Sequence, residues 1–103
     1  MKRIDRLQQI AGLILDTRLA EVQAADRARQ ESLSHLQALR VSQPVVADVV
    51  AAQVGLRYEQ WADMRRGQIN MALARQTVTW MEAQDRARSA FGRAEVLRKL
   101  NAK

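Results

Sequence analysis

Apolar residues recur along this chain at steps of three and four, the spacing that gathers them on one side of an α-helix. From the N-terminus, Ile4, Leu7, Ala11 and Ile14 keep that step, and Leu15, Leu19, Val22 and Ala25 carry it onward to Leu33, Leu36 and Leu39. This is one apolar face for about ten turns. The stripe drifts and Arg29 interrupts it, which predicts an imperfect coiled coil rather than a strict zipper. A second stretch places Val46, Val50 and Val54, then Trp61, Met64, Met71, Ala74, Val78 and Met81, and finally Ala87, Phe91, Ala94, Leu97 and Leu100 at similar steps. These residues predict a second seam running nearly end to end.

Pro44, the only proline, divides the two stretches. In a helix interior it would remove a backbone hydrogen bond at a cost of roughly 3 kcal/mol, whereas in a first turn it is harmless. Ser42 is placed to cap that turn, and Asp48 lies near its positive dipole end. The expected architecture is a single all-α domain over residues 1–103, an antiparallel two-helix coiled-coil hairpin with unequal arms. Helix 1 is expected at about 2–41, the turn at about 42–44 and helix 2 at about 45–101, with arms of roughly 60 and 85 Å at 1.5 Å per residue. A tight turn at Pro44 then leaves residues from about 85 onward projecting beyond the N-terminus. Gly55 offers an alternative, a third helix beginning after it, although Val54, Leu56 and Trp61 continue the apolar pattern. Glu82 with Arg86 and Glu95 with Lys99 stand four apart, in the order that favours ion pairs along a helix.

Composition agrees with an elongated rather than a compact form. Ala, Leu, Gln and Arg dominate, and the aromatics are Tyr58, Trp61, Trp80 and Phe91 alone. Such a mixture with heptad-like spacing is the usual signature of a coiled coil. The net charge is +6, with seven basic and five acidic residues up to Pro44 and ten and six after it. That excess can steer the chain toward acidic surfaces of proteins, membranes or nucleic acids.

Candidate chemistry is sparse. The chain has no cysteine, which permits a reducing, cytoplasmic setting. The apolar run from Ile10 to Leu15 is too short to cross a bilayer and has no small-residue cleavage site after it. His35, the only histidine, has Glu31 four residues before it, and two ligands do not close a metal site. No Gly-rich phosphate loop, nucleophile elbow or helical metalloprotease motif is present. The expectation is a non-enzymatic protein with no cofactor, catalytic residue or metal ligand.

The remaining candidates are partner-binding residues. Tyr58, Trp61 and Trp80, with Arg86, Arg88, Phe91, Arg93 and Leu97, are the aromatic, basic and apolar groups suited to anchoring an interface. Nucleic acid is the weaker reading of the basic cluster, because Asp85 and Glu95 interleave it and Phe91 alone could stack a base.

The stretch Arg86-Ala87-Arg88-Ser89-Ala90-Phe91-Gly92-Arg93-Ala94-Glu95-Val96-Leu97-Arg98-Lys99-Leu100, on an Arg/Gln/Ala-rich helical hairpin, resembles the FliJ/YscO group of flagellar and type III secretion proteins. The resemblance implies a stalk of the export apparatus, cytoplasmic and at the cytoplasmic face of the inner membrane through its partners. Those partners are a hexameric export ATPase, entered by the paired terminal ends, and a component of the membrane export gate, with secretion chaperones as further clients. In that reading Arg86, Arg88, Phe91, Arg93 and Leu97 meet the ATPase, while Tyr58, Trp61 and Trp80 face another partner. Two other readings stand beside it: a basic helical nucleic-acid-binding module, and a coiled-coil scaffold that is a homodimer rather than a monomer.

Overall fold

The computed structural model describes residues 2–39 and 48–103. Two helices, α1 (Lys2–Leu39) and α2 (Val49–Ala102), lie antiparallel in a rod of 80 × 17 × 14 Å. This is the all-α hairpin with unequal arms that the apolar periodicity predicts. The expected turn at 42–44, the Ser42 cap and Val46 lie outside the described residues. The described part of α2 starts at Val49, later than position 45, and Asp48 is its N-cap. Asp48 is in an extended conformation (φ −154°, ψ 178°), and its carboxylate accepts the Ala51 amide hydrogen at 2.7 Å. It satisfies one of the amides that the first turn leaves unpaired and places negative charge at the positive end of the dipole. Gly55 lies inside α2, so the three-helix alternative is not observed.

The inner line of α1 is Ile4, Gln8, Ala11, Leu15, Arg18, Val22, Ala25, Arg29, Ser32, Leu36 and Leu39, all buried or half-buried and alternating steps of four and three without a break. The line of α2 is Gly55, Glu59, Ala62, Arg66, Ile69, Leu73, Gln76, Trp80, Ala83, Ala87, Ala90, Ala94 and Leu97, in the same rhythm. The stripe that the sequence pattern assigns to the α2 seam is therefore displaced. Val50, Val54, Trp61, Met64, Met71, Val78 and Met81 are exposed, and only its later members Ala87, Ala94 and Leu97 belong to the real line. Ala62 and Ala83 are each 1 % exposed, and no large side chain is fully buried. Small residues win the seam because they let the two axes approach to the short end of the roughly 8–10 Å range of packed helices. Arg29, read as an interruption, sits in the α1 line.

Register is fixed by polar contacts across the seam. Asn101 donates to Asp5 at 3.0 Å and to Gln8 at 2.8 Å, Arg86 pairs with Glu21 at 3.6 Å, Arg29 donates to Thr77 at 3.3 Å, and Ser32 donates to Gln76 at 2.6 Å. A tight turn at 42–44 would instead put Gln8 opposite roughly residue 78. The expected overhang of residues 85 onward is accordingly absent, and the C-terminal end of α2 lies level with the N-terminal end of α1. The unequal length emerges at the other end. Arg66 donates to the Leu39 carbonyl at 3.3 Å, supplying the cation that the last turn of α1 lacks, and α2 from Val49 to Arg66 runs about 25 Å past that point.

Two outcomes check this register. In the naturally cysteine-free chain, Gln8→Cys with Asn101→Cys cross-links readily on mild oxidation, while Gln8→Cys with Val78→Cys does not; the reverse would place the hairpin in the tight-turn register. Ala83→Leu lowers stability by about 1–3 kcal/mol through overpacking, read from urea unfolding, whereas Met81→Leu on the exposed side has little effect.

Candidate partner-binding surfaces

The residues singled out as partner anchors divide among three places. Trp80 belongs to the seam, where the Arg29 guanidinium lies 4.4 Å from its ring centre. Arg29 also donates to Thr77 and pairs with Asp26 at 3.4 Å, and the buried Ser32 stands three residues further along α1. A cation over an indole face is attractive because the ring quadrupole is negative there. Trp80 is thus engaged inside the hairpin rather than offered to a partner.

Tyr58 and Trp61 do come together. Their ring centres are 5.8 Å apart with planes tilted by 40°, and both are exposed on the part of α2 that runs past α1. Trp61 is one member of the displaced stripe Val54, Trp61, Met64, Met71 and Val78. These residues keep heptad spacing and lie roughly 150° around α2 from the buried line.

The basic cluster near the C-terminus does not form one patch. Arg86 and Arg93, seven apart, share a groove with Ile14, Arg18, Asp85, Ser89 and Ala90. Phe91 and Arg98, also seven apart, occupy the other flank of α2, and Arg88, three residues before Phe91, lies beside that flank rather than beside the groove. Several charges are compensated locally: Arg86 by Glu21, Arg88 by Asp85 at 3.0 Å, and Arg98 by Glu95 at 3.0 Å. The Arg98 hydrogen bond holds the Glu95 carboxyl below the usual carboxylate range. The expected four-apart pairs of Glu82 with Arg86 and Glu95 with Lys99 are replaced by these cross-helix and three-apart pairs. Arg93 makes no ion pair among the described residues.

A surface that the sequence pattern hides lies at this same end. Ile14 faces the Arg86–Arg93 groove, Leu7 precedes it by one heptad, and Ile10 sits between them; all three are exposed. On α2, Leu100 follows Arg93 by one heptad, and Val96 lies between them, beside the half-buried Leu97 in a shallow apolar notch at Gly92. The two helices together present Leu7, Ile10, Ile14, Val96 and Leu100 on one side of the paired termini. Periodicity alone could not find this face, because Leu7, Ile14 and Leu100 read as seam residues until the cross-helix register is known.

His35 is exposed, and no group of three or more metal-ligating side chains occurs among the described residues. Among them, too, no helix is long and apolar enough to cross a membrane. Comparison with protein-family models, with curated proteins and with solved structures gives no match to this chain.

Arg29→Ala removes the cover of Trp80 and the donor to Thr77, and is expected to cost about 1–2 kcal/mol in thermal or urea unfolding. In a Trp61→Phe background, Trp80 emission shifts to longer wavelength as the ring meets water. An unchanged spectrum and an unchanged midpoint would show that the stacking contributes nothing.

Proposed function

We propose that this protein is a non-enzymatic stalk or adaptor of a flagellar or type III protein-export apparatus. In this reading its paired-termini end docks on a hexameric export ATPase, and the far end of the rod reaches an export-gate component or a chaperone. The observation that carries the reading is the two-helix apolar face of Leu7, Ile10, Ile14, Val96 and Leu100, bordered by Arg86 and Arg93, at the end where both termini are level. Monomeric proteins do not usually leave a contiguous apolar patch of this kind uncovered without a use for it.

The geometry of the rod supports the same role. Its 80 Å length separates the terminal face from the start of α2 at the other end, so a single chain can touch two partners at once. The resemblance of residues 86–100 to the FliJ/YscO group supplies the class of partner. The nucleic-acid reading draws less support, since Arg86, Arg88 and Arg98 each already meet a carboxylate and no aromatic lies beside Arg93 to stack a base.

A pull-down with a purified hexameric export ATPase, followed by ATP hydrolysis, tests the proposal. Binding is expected at low salt, with a changed hydrolysis rate, and Ile14→Asp combined with Leu100→Asp should weaken it by at least about 30-fold, the loss typical of interface anchors. No association at low salt would remove the export reading. A steep, salt-sensitive gel shift with DNA or RNA would favour the nucleic-acid one instead.

A further inference from the structure

The terminal face accounts for one exposed apolar surface, and the outward stripe of α2 is a second, independent one. Val54 is 62 % exposed, Trp61 52 %, and Met64 and Met71 65 % each, yet they keep the alternating heptad rhythm of a seam. On the sides of this stripe stand Gln53, Gln60, Gly67 and Ala74 along one flank, and Ala51, Tyr58, Arg65 and Ala72 along the other. No acidic residue lies on the stripe or its flanks. A second line of apolar residues at seam spacing, interrupted by Arg57, Gln68 and Arg75 but free of acidic residues on itself and its flanks, can take a coiled-coil partner helix.

We propose that this stripe is a homodimer seam, closed by the same stripe of a second copy running antiparallel across a two-fold axis at the level of Ala62 and Asp63. The argument for a second copy is self-complementarity. A two-fold interface uses one patch twice, so each residue must suit its own symmetry mate. In the register whose paired numbers sum to 125, Val54 meets the second copy's Met71 and Trp61 meets the second copy's Met64, each pairing occurring twice. Arg57 then faces the second copy's Gln68, and Tyr58 lies beside the second copy's Arg65, a cation and ring of the kind that Arg29 and Trp80 form within the chain. Sliding by one heptad in one direction opposes Arg57 to the second copy's Arg75, two like charges at a seam position. Sliding in the other sets Trp61 against the second copy's Arg57, so that the central apolar layer is lost, whereas Val50 faces a polar residue in either case. One register satisfies all four anchors. Because the stripe lies on the side of α2 away from α1, the assembly is a row of four helices, α1 and α2 of one copy followed by α2 and α1 of the other.

Sedimentation of the full chain over a micromolar concentration series tests the proposal, with spin labels introduced singly at positions 64 and 78. A monomer–dimer equilibrium is expected. Met64→Glu should weaken it by at least about 30-fold, and at concentrations where both proteins are monomeric it should leave helicity and the unfolding midpoint unchanged, since Met64 takes no part in the internal seam. Labels at 64 should lie within about 15 Å of each other and labels at 78 about 45 Å apart, because 1.5 Å per residue separates position 78 from its mate's level. A monomer throughout the series overturns the proposal, as does a dimer untouched by Met64→Glu or a short distance between labels at 78. The ATPase-binding face is probed by Ile14 and Leu100 instead, so failure of either proposal is read without the other.

Discussion

Two long helices with heptad spacing can in principle pair in several registers, one heptad apart, with nearly the same apolar contact. What selects one here is the set of hydrogen bonds across the seam, centred on Ser32 with Gln76 and on Arg29 with Thr77 and Trp80. A shift of seven residues would bring Ser32 level with Ile69 in one direction or with Ala83 in the other, leaving a buried hydroxyl unpaired at a cost of about 1–3 kcal/mol. Arg29 would lose its indole cover in either case. The most deeply buried seam positions are otherwise mostly alanine, which packs closely but discriminates little between registers, so a few polar groups supply much of the specificity. The position of every external surface follows from that choice.

Much of the architecture is legible in the sequence, and the part that is not has a definite cause. Helix content, the two-arm hairpin and most of the α1 line follow from three-four periodicity, because Ile4, Ala11, Leu15, Val22, Ala25, Leu36 and Leu39 are apolar and buried or half-buried, although Leu7, Ile14 and Leu19 of the same stripe are exposed. On α2 the same rule selects the wrong side. It favours Trp61, Met64, Met71 and Val78 over Ala62, Ala83, Ala87 and Ala90, since a large side chain carries more transfer free energy than a methyl group. Packing of two helices rewards close approach as well as size, and a helix with two heptad lines leaves periodicity unable to say which is internal. Arg29 misled for the related reason that a seam residue need not be apolar when its polar atoms are paired.

The error in register had a different origin. A tight turn at a lone proline predicts that the arms diverge at the termini, yet the pairing of Asn101 with Asp5 and Gln8 closes that end and transfers the surplus length of α2 to the other. The candidate site moved with it. Arg86, Arg93 and Leu97 acquired Leu7, Ile10 and Ile14 as neighbours on a shared face, Phe91 and Arg88 were separated from them, and Trp80 was absorbed into the seam. Tyr58 and Trp61, by contrast, remained a pair at the far end whatever the register, because their three-residue separation on one helix fixes their proximity.

The stretch of α2 from Val49 to Arg66 links folding to association. Isolated helices of about 12–15 residues are marginal in water, so this segment draws its order from the packing of its inner line, where Ala62 is 1 % exposed, from its continuity with the rest of α2 and from the Asp48 cap, with Gly55 weakening it in the middle. Its outward residues Val54, Tyr58 and Trp61 lie where the cost of leaving apolar area in water is added to that marginal helicity. Any partner that covers them stabilises the helix by mass action, and by the same linkage any change that stabilises the helix tightens the partner. Occupancy at this end is therefore coupled to local helix order.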